Sequence, residues 1–383
     1  MMTDSATEST STLAPAPAQA PPPQVGEKRK TLDDLIEDTQ TPTGRSKKKS
    51  KSGYRHFGRA MARLVDPFMQ PLTMINEGIK ALDFEELPAN EANPDMHVYW
   101  SYKALVHLAP SLQTVVNETD GTNMDTCLLI DEQLKKARSS GRSDDSNKIK
   151  TAIGDMLQVL SIIKPGDLPF PMVSSKVSRG FVNDVSVLLL TPVLWQAHLN
   201  PGVIEEIRRM EREVTANDFP VFMYSNNQCD DLDDLEVGLC RGPLLVHVFR
   251  HLWVAPSAAL NIEGSPKTRK QGNAATYNVT SVTPRSIAYA AIQASITIHS
   301  SGTGYIKTMQ AFYWNIVELF TDGSTWARDT LAWWNRTVFG VHAGRQPAAA
   351  GARSPSVPAT SSVSKIAQQR AEKEHAALAE NSA

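Results

Sequence analysis

Two prolines bracket the most apolar stretch of this 383-residue chain and narrow it to one conformation. Pro243 stands where a first helical turn tolerates proline, because its missing N–H would have no intrahelical acceptor there. Leu244, Leu245, Val248, Phe249, Leu252 and Trp253 follow at steps of three and four. That spacing makes one wide apolar stripe and predicts a helix buried over most of its girth. Pro256 ends it, since the residue before a proline avoids helical backbone. Thr283-Pro284 repeats the start signal with a cap and a first-position proline. Ile287, Ala288, Ala291, Ile292 and Ser295 then share one face, and the small residues predict a close helix–helix contact.

A polar, basic loop joins these two central helices. At roughly 25 residues it is long for a connection inside a compact domain, and such loops are often functional. Lys267, Arg269 and Lys270 would neutralise phosphates or carboxylates. Gly272 would let a ligand approach the backbone, with Asn273 beside it. These five are the candidate binding residues. The loop is expected to move more than the helices that hold it.

The same region carries a resemblance. Arg241-Gly-Pro-Leu-Leu-Val, Ala255-Pro-Ser-Ala-Ala, Gly272-Asn-Ala-Ala, Ser281-Val-Thr-Pro and Ile287-Ala-Tyr-Ala resemble a domain of unknown function present in many copies in mushroom-forming fungi. Arg179-Gly-Phe, Phe219-Pro, Phe312-Tyr and Trp333-Trp-Asn fit the same pattern, so the resemblance spans about residues 55–340. It implies a mostly helical domain with no known activity, so no catalytic residues carry over from it. One segment departs from the pattern: Val182-Asn-Asp and Leu189-Leu-Thr-Pro replace a His-containing stretch that ends in Leu-Leu-Cys-Pro.

Composition limits the partners. The net charge is −2; residues 1–52 carry +1 and residues 341–383 carry +2, which leaves −5 on the middle. An acidic domain rarely grips nucleic acid over a broad face. Three cysteines, Cys127, Cys229 and Cys240, are too few for a disulfide scaffold and fit a reducing compartment. The sequence shows no hydrophobic leader and no run of 18 apolar residues, so neither secretion nor a membrane span is expected.

Residues 1–52 are Ser, Thr, Pro, Ala and charge. Such a segment cannot bury enough surface to offset its ordering entropy and should be disordered. Lys47, Lys48, Lys49 and Lys51 form a basic cluster there of the kind a nuclear import receptor reads. Residues 53–340 read as one helical domain. Residues 341–360 are a linker, and a polar helix over 364–379 would be marginal by itself.

Within the domain, Asp66-Pro67 reads as a cap and first helical position. Helices are expected over 124–138 and 145–163, joined by a polar surface loop from Ser139 to Asp145. Val185 to Leu190 is the one short β candidate, ambiguous with helix. The acidic run from Asp230 to Glu236 reads as the opening of a helix, favoured by the dipole, or as a docking patch for a basic partner. Ser324 caps a last helix over 325–339 that Gly340 ends.

No constellation compels a chemistry. Cys229, Cys240, His247 and His251 have the right ligand types for zinc, but the cysteines lie too far apart in sequence for a structural site. The two histidines read as buried on an apolar helix. The acidic run lacks the alternating ligands and central glycine of a calcium loop. No nucleophile elbow and no phosphate-binding glycine loop occurs. Trp100, Trp326, Trp333 and Trp334 have the spacing of core residues. The expectation is a mostly α, non-enzymatic and nuclear interaction module that binds a protein partner and needs no cofactor or metal. The alternatives are a nucleic-acid-associated protein derived from a mobile element, and an enzyme with an unrecognised helical active site.

Overall fold

Helices form all the regular structure among the described residues. The computed structural model describes residues 53–83, 96–118, 124–163, 179–209, 211–260, 272–299, 305–340 and 361–380. No strand occurs among them; two isolated bridges pair Pro192 with Pro220 and Tyr224 with Leu239. In chain order the helices are α1 (Gly53–Leu64), α2 (Pro71–Lys80), α3 (His97–Leu108), α4 (Ser111–Asn117), α5 (Met124–Val159), α6 (Asp184–Leu190) and α7 (Pro201–Arg208). Then come α8 (Pro243–Trp253), α9 (Pro256–Leu260), α10 (Asn273–Thr276), α11 (Pro284–Ile298), α12 (Tyr305–Glu318), α13 (Thr325–Phe339) and α14 (Ser362–Glu380). The mostly α expectation holds.

The two central helices start as their sequence signals say. Pro243 occupies the first turn of α8, and every residue from Leu244 to Trp253 is buried. Thr283 caps α11 with a full capping box: its side chain accepts from the Ser286 N–H, and the Ser286 hydroxyl accepts from the Thr283 N–H. The Arg241-Gly-Pro motif has a steric cause. A Cβ on Gly242 would lie 1.8 Å from the Phe222 carbonyl oxygen, so only glycine lets α8 begin against the 3-10 turn Val221–Met223.

Two apolar clusters result. The larger gathers α6, α8, α11, α12, α13 and the C-terminal half of α5. The smaller gathers Met61, Met74, Ile75, Tyr102 and Leu105 from α1 to α3 against Ile130 and Leu134 of α5. Helix α5 therefore serves both.

That double duty overturns the expected surface loop. Ser139 to Asp145 lies inside one continuous helix of 36 residues. Asp144 and Asp145 meet arginines of α1, while Ser139, Ser140 and Ser143 remain exposed. Arg63 donates to both Asp145 oxygens at 2.6 and 2.7 Å, with both side chains buried. Nearer the surface, Arg59 meets Asp144 at 2.5 Å. The helices approach closely: a Cβ on Gly58 would lie 2.7 Å from Ala137 Cβ, and one on Gly141 would lie 2.9 Å from the Arg59 carbonyl. Polarity alone looked like a loop; paired polarity is a helix interface.

Two further expectations are corrected. Val185 to Leu190 is helical, because Asn183 caps α6 by accepting from the Ser186 N–H at 3.0 Å. Asp66 does not open a helix. It is fully buried and accepts from the Phe68 and Met69 N–H groups at 2.6 and 2.7 Å, closing a turn before α2. The helix expected near 364–379 forms as α14, and it is docked rather than alone.

Candidate functional site

Helix α14 lies on a face built by the acidic run and the turn between α12 and α13. The run is not a helix, contrary to its sequence reading. Asp231 accepts from the Asp233 and Asp234 N–H groups, and Asp234 accepts from that of Glu236. These local bonds give the backbone an alternative to helix. They also leave Asp234 and Glu236 pointing at α14.

Three side chains of α14 meet that face. Arg370 donates to Glu236 at 2.7 Å, to Asp322 at 2.6 Å and to the Leu319 carbonyl at 3.0 Å. Its guanidinium also lies 5.5 Å from the centre of the Trp326 ring. Trp326 is fixed by donating its indole N–H to the Glu236 carbonyl at 2.8 Å. Gln369 accepts from the Leu235 N–H at 2.9 Å and donates to the Leu232 carbonyl at 3.2 Å. Lys373 reaches Asp234 at 2.7 Å and Glu236 at 3.1 Å. Burial lowers the Lys373 pKa, but the bonds to the two carboxylates outweigh it and leave the pKa raised. Ile366 sits in the larger core. The start of α14 is pinned as well, with Val363 donating to the Asn217 carbonyl and Ser362 accepting from the Phe219 N–H.

A second polar cluster lies inside the fold. Tyr289 of α11 donates to Asp145 at 2.9 Å, beside the Arg63 fork. Burial lowers the Arg63 pKa, and the bond to Asp145 reverses that and raises it. Ser146 donates to Gln293 at 2.8 Å. On α8, burial pushes His247 down to about 4, with Arg250 adding to the effect. Burial also pushes His251 down to about 4, with Lys148 adding and Asp145 opposing. Both histidines are therefore neutral near pH 7.

The sequence candidates are distributed as follows. Lys267, Arg269 and Lys270 lie outside the described residues, as do Lys47, Lys48, Lys49 and Lys51. Gly272 and Asn273 are described, and both serve the end of α8. A Cβ on Gly272 would lie 2.0 Å from the Val254 carbonyl, and Asn273 donates to the Leu252 carbonyl at 2.5 Å. Among the described residues no three His, Cys, Asp or Glu side chains gather as metal ligands. Cys229 instead donates to the Asp231 carbonyl, and Cys240 is buried, which raises its thiol pKa. Trp334 is fully buried and donates to the Cys240 carbonyl at 2.8 Å, a core role. No described helix is long and apolar enough to cross a membrane.

Sequence reasoning missed Asp322, Trp326, Gln369, Arg370 and Lys373. One signal was present. Ile366, Gln369, Arg370 and Lys373 repeat at helical spacing and turn an apolar and basic edge to one side.

No curated protein and no solved structure matches the chain. The profile of a family of unknown function (DUF6698) matches residues 136–339. The match takes in the acidic run, Asp322, Trp326 and the central helices, begins within α5 and stops before α14. It covers more than half of the chain, and the chain therefore belongs to this family of unknown function, DUF6698.

Proposed function

We propose that the chain is a non-enzymatic interaction module whose acidic, tryptophan-bearing face holds a basic helix of a protein partner. One observation carries this reading: the face bonds each side chain of a helix edge that presents Gln, Arg and Lys. A guanidinium there meets two carboxylates, a carbonyl and an aromatic ring. A planar fork whose nitrogens each meet a different acceptor while the group lies near a ring favours arginine over lysine at that position. The negative charge of the face disfavours a phosphate backbone, so a protein partner fits better than nucleic acid.

We further read the module as nuclear, on the cluster Lys47, Lys48, Lys49 and Lys51. We also read the matched family as the many-copy fungal one that the motifs around 241–291 resemble. Replacing the four lysines with alanine in a fluorescent fusion of the full chain should move it from nucleus to cytoplasm. A wild type that is cytoplasmic ends the nuclear reading. For the docking face, crosslinking of the full chain in native extract should join partners to residues 232–236 and 319–326. The crosslinks should vanish in a Glu236→Lys, Asp322→Lys double variant. Partner crosslinks confined to other surfaces, or salt-dependent retention on a DNA column, would overturn the docking reading.

A further inference from the structure

We propose that α14 is a built-in occupant of this docking face, and that an external partner helix binds by displacing it. The proposal rests on the interaction reading above and adds its regulation. It also names the partner's chemistry: an amphipathic helix with an apolar residue, then Gln and Arg three and four positions later, then Lys at the seventh.

Three observations support exchange. First, α14 is held mainly by polar contacts and ion pairs rather than by apolar burial. Among its described residues Ile366 is the large apolar side chain that is buried, whereas Glu372 to Ala376 are all exposed. Lys373 and Asp322 lie at the partly wet rim of the set, where ion pairs are weak and screened by salt, although Glu236 itself is buried. Second, the helix is polar and would be marginal undocked, so undocking and loss of helix are one event. Third, α14 is joined to α13 by residues 341–360, which are dominated by Ala, Pro, Gly and Ser. Because α14 is on the same chain as the face, it competes for it at a high effective concentration. A free helix of the same pattern then competes with a tethered one, and affinity is set by how often the face is vacated.

The docked set also contains its own charge switch. Arg370 and Lys373 converge on Glu236, so reversing the two cations would set like charges against Glu236, Asp234 and Asp322.

The test uses the full chain and an Arg370→Glu, Lys373→Glu variant of it. Hydrogen exchange should be slow over 363–373 in the wild type and fast in the variant, with α8 and α11 unchanged. A labelled peptide of residues 361–380 added in trans should bind the variant chain about tenfold or more tighter than the wild type, because the tethered competitor is gone. The same peptide carrying the two charge reversals should bind neither. Raising salt on the wild type should speed exchange in α14 before any other helix. Three results would overturn the proposal. One is a variant whose α14 stays protected. Another is a released α14 with no peptide binding. The third is a variant whose α8 and α11 also lose protection, which would make α14 an integral part of the core. The docking reading fails separately, when native partners crosslink away from the face although α14 exchanges freely.

Discussion

Helices α8 and α14 are both packed on the larger core, and they are held by opposite physics. Ten consecutive residues of α8 are buried, most of them apolar. Helix α14 buries Ile366, Ser362 and Gln369, is pinned at its start by Val363 and Ser362, and otherwise rests on Arg370 and Lys373. Burial of apolar area depends little on salt, whereas paired charges near water are screened within about 10 Å at ordinary ionic strength. A helix held in the first way belongs to the scaffold. One held in the second way can leave while the scaffold stays. Helix α5 shows the middle case, where Arg63 and Asp145 are paired but dry.

The largest expected effect separates scaffold from surface. Leu245 is fully buried in α8. Leu245→Asp would put an unpaired charge in the core at a cost of several kcal/mol, comparable to the stability of a whole domain. The variant should be insoluble or lack a cooperative melt. A normal melt would mean that α8 is not scaffold, and the contrast with α14 would collapse.

Next comes the dry ion pair. Asp145→Ala strands Arg63 without its acceptor and should cost about 3–5 kcal/mol, read from chemical denaturation. Asp144→Ala removes the exposed partner of Arg59 and should cost under about 1 kcal/mol. Equal costs for the two would show that burial does not set the strength of these pairs.

The two histidines of α8 give a pH signature on the acid side. Their folded pKa is pushed down to about 4, against an ordinary value of 6.5. The unfolded chain therefore binds more protons than the folded one between those limits. Stability is full above about pH 6.5, falls as pH drops towards 4, and levels off below that. Each histidine contributes at most about 3 kcal/mol to the drop. A His247→Leu, His251→Leu variant should show a flatter profile over the same window, and an unchanged slope would assign the acid sensitivity elsewhere.

The smallest effect belongs to α14. Lys373 is half exposed despite its two carboxylate partners. Lys373→Ala should shift global stability by less than about 1 kcal/mol while speeding exchange in α14 alone. A global loss of several kcal/mol would place α14 with the scaffold.

Much of this was legible in the sequence where the signal was local. Pro243, the Thr283-Pro284 start, the Ser324 cap and the left-handed Gly340 after α13 each mark a helix end through groups a few residues away. Leu245 and its neighbours gave the buried face through spacing alone. The candidate site was legible only in halves. The acidic run was read first as the opening of a helix and only second as a docking patch for a basic partner, and the polar segment near the C-terminus was read as a helix. Nothing in either stretch says that they meet.

The sequence by itself determined where α8, α11 and α13 begin and end and which of their faces are apolar, because caps, prolines and periodicity act within one or two turns. Tertiary structure decided the fate of the polar segments. Ser139 to Asp145 would be a loop if solvated, and it is a helix because Arg59 and Arg63 come from 80 or so residues away to meet it. Asp230 to Glu236 would begin a helix by its dipole, and it is a turn that receives α14 because its carboxylates are committed to nearby N–H groups and to Arg370 and Lys373. A charge lowers or raises the free energy of a segment according to what stands opposite it, and that distance is fixed only when the chain has folded.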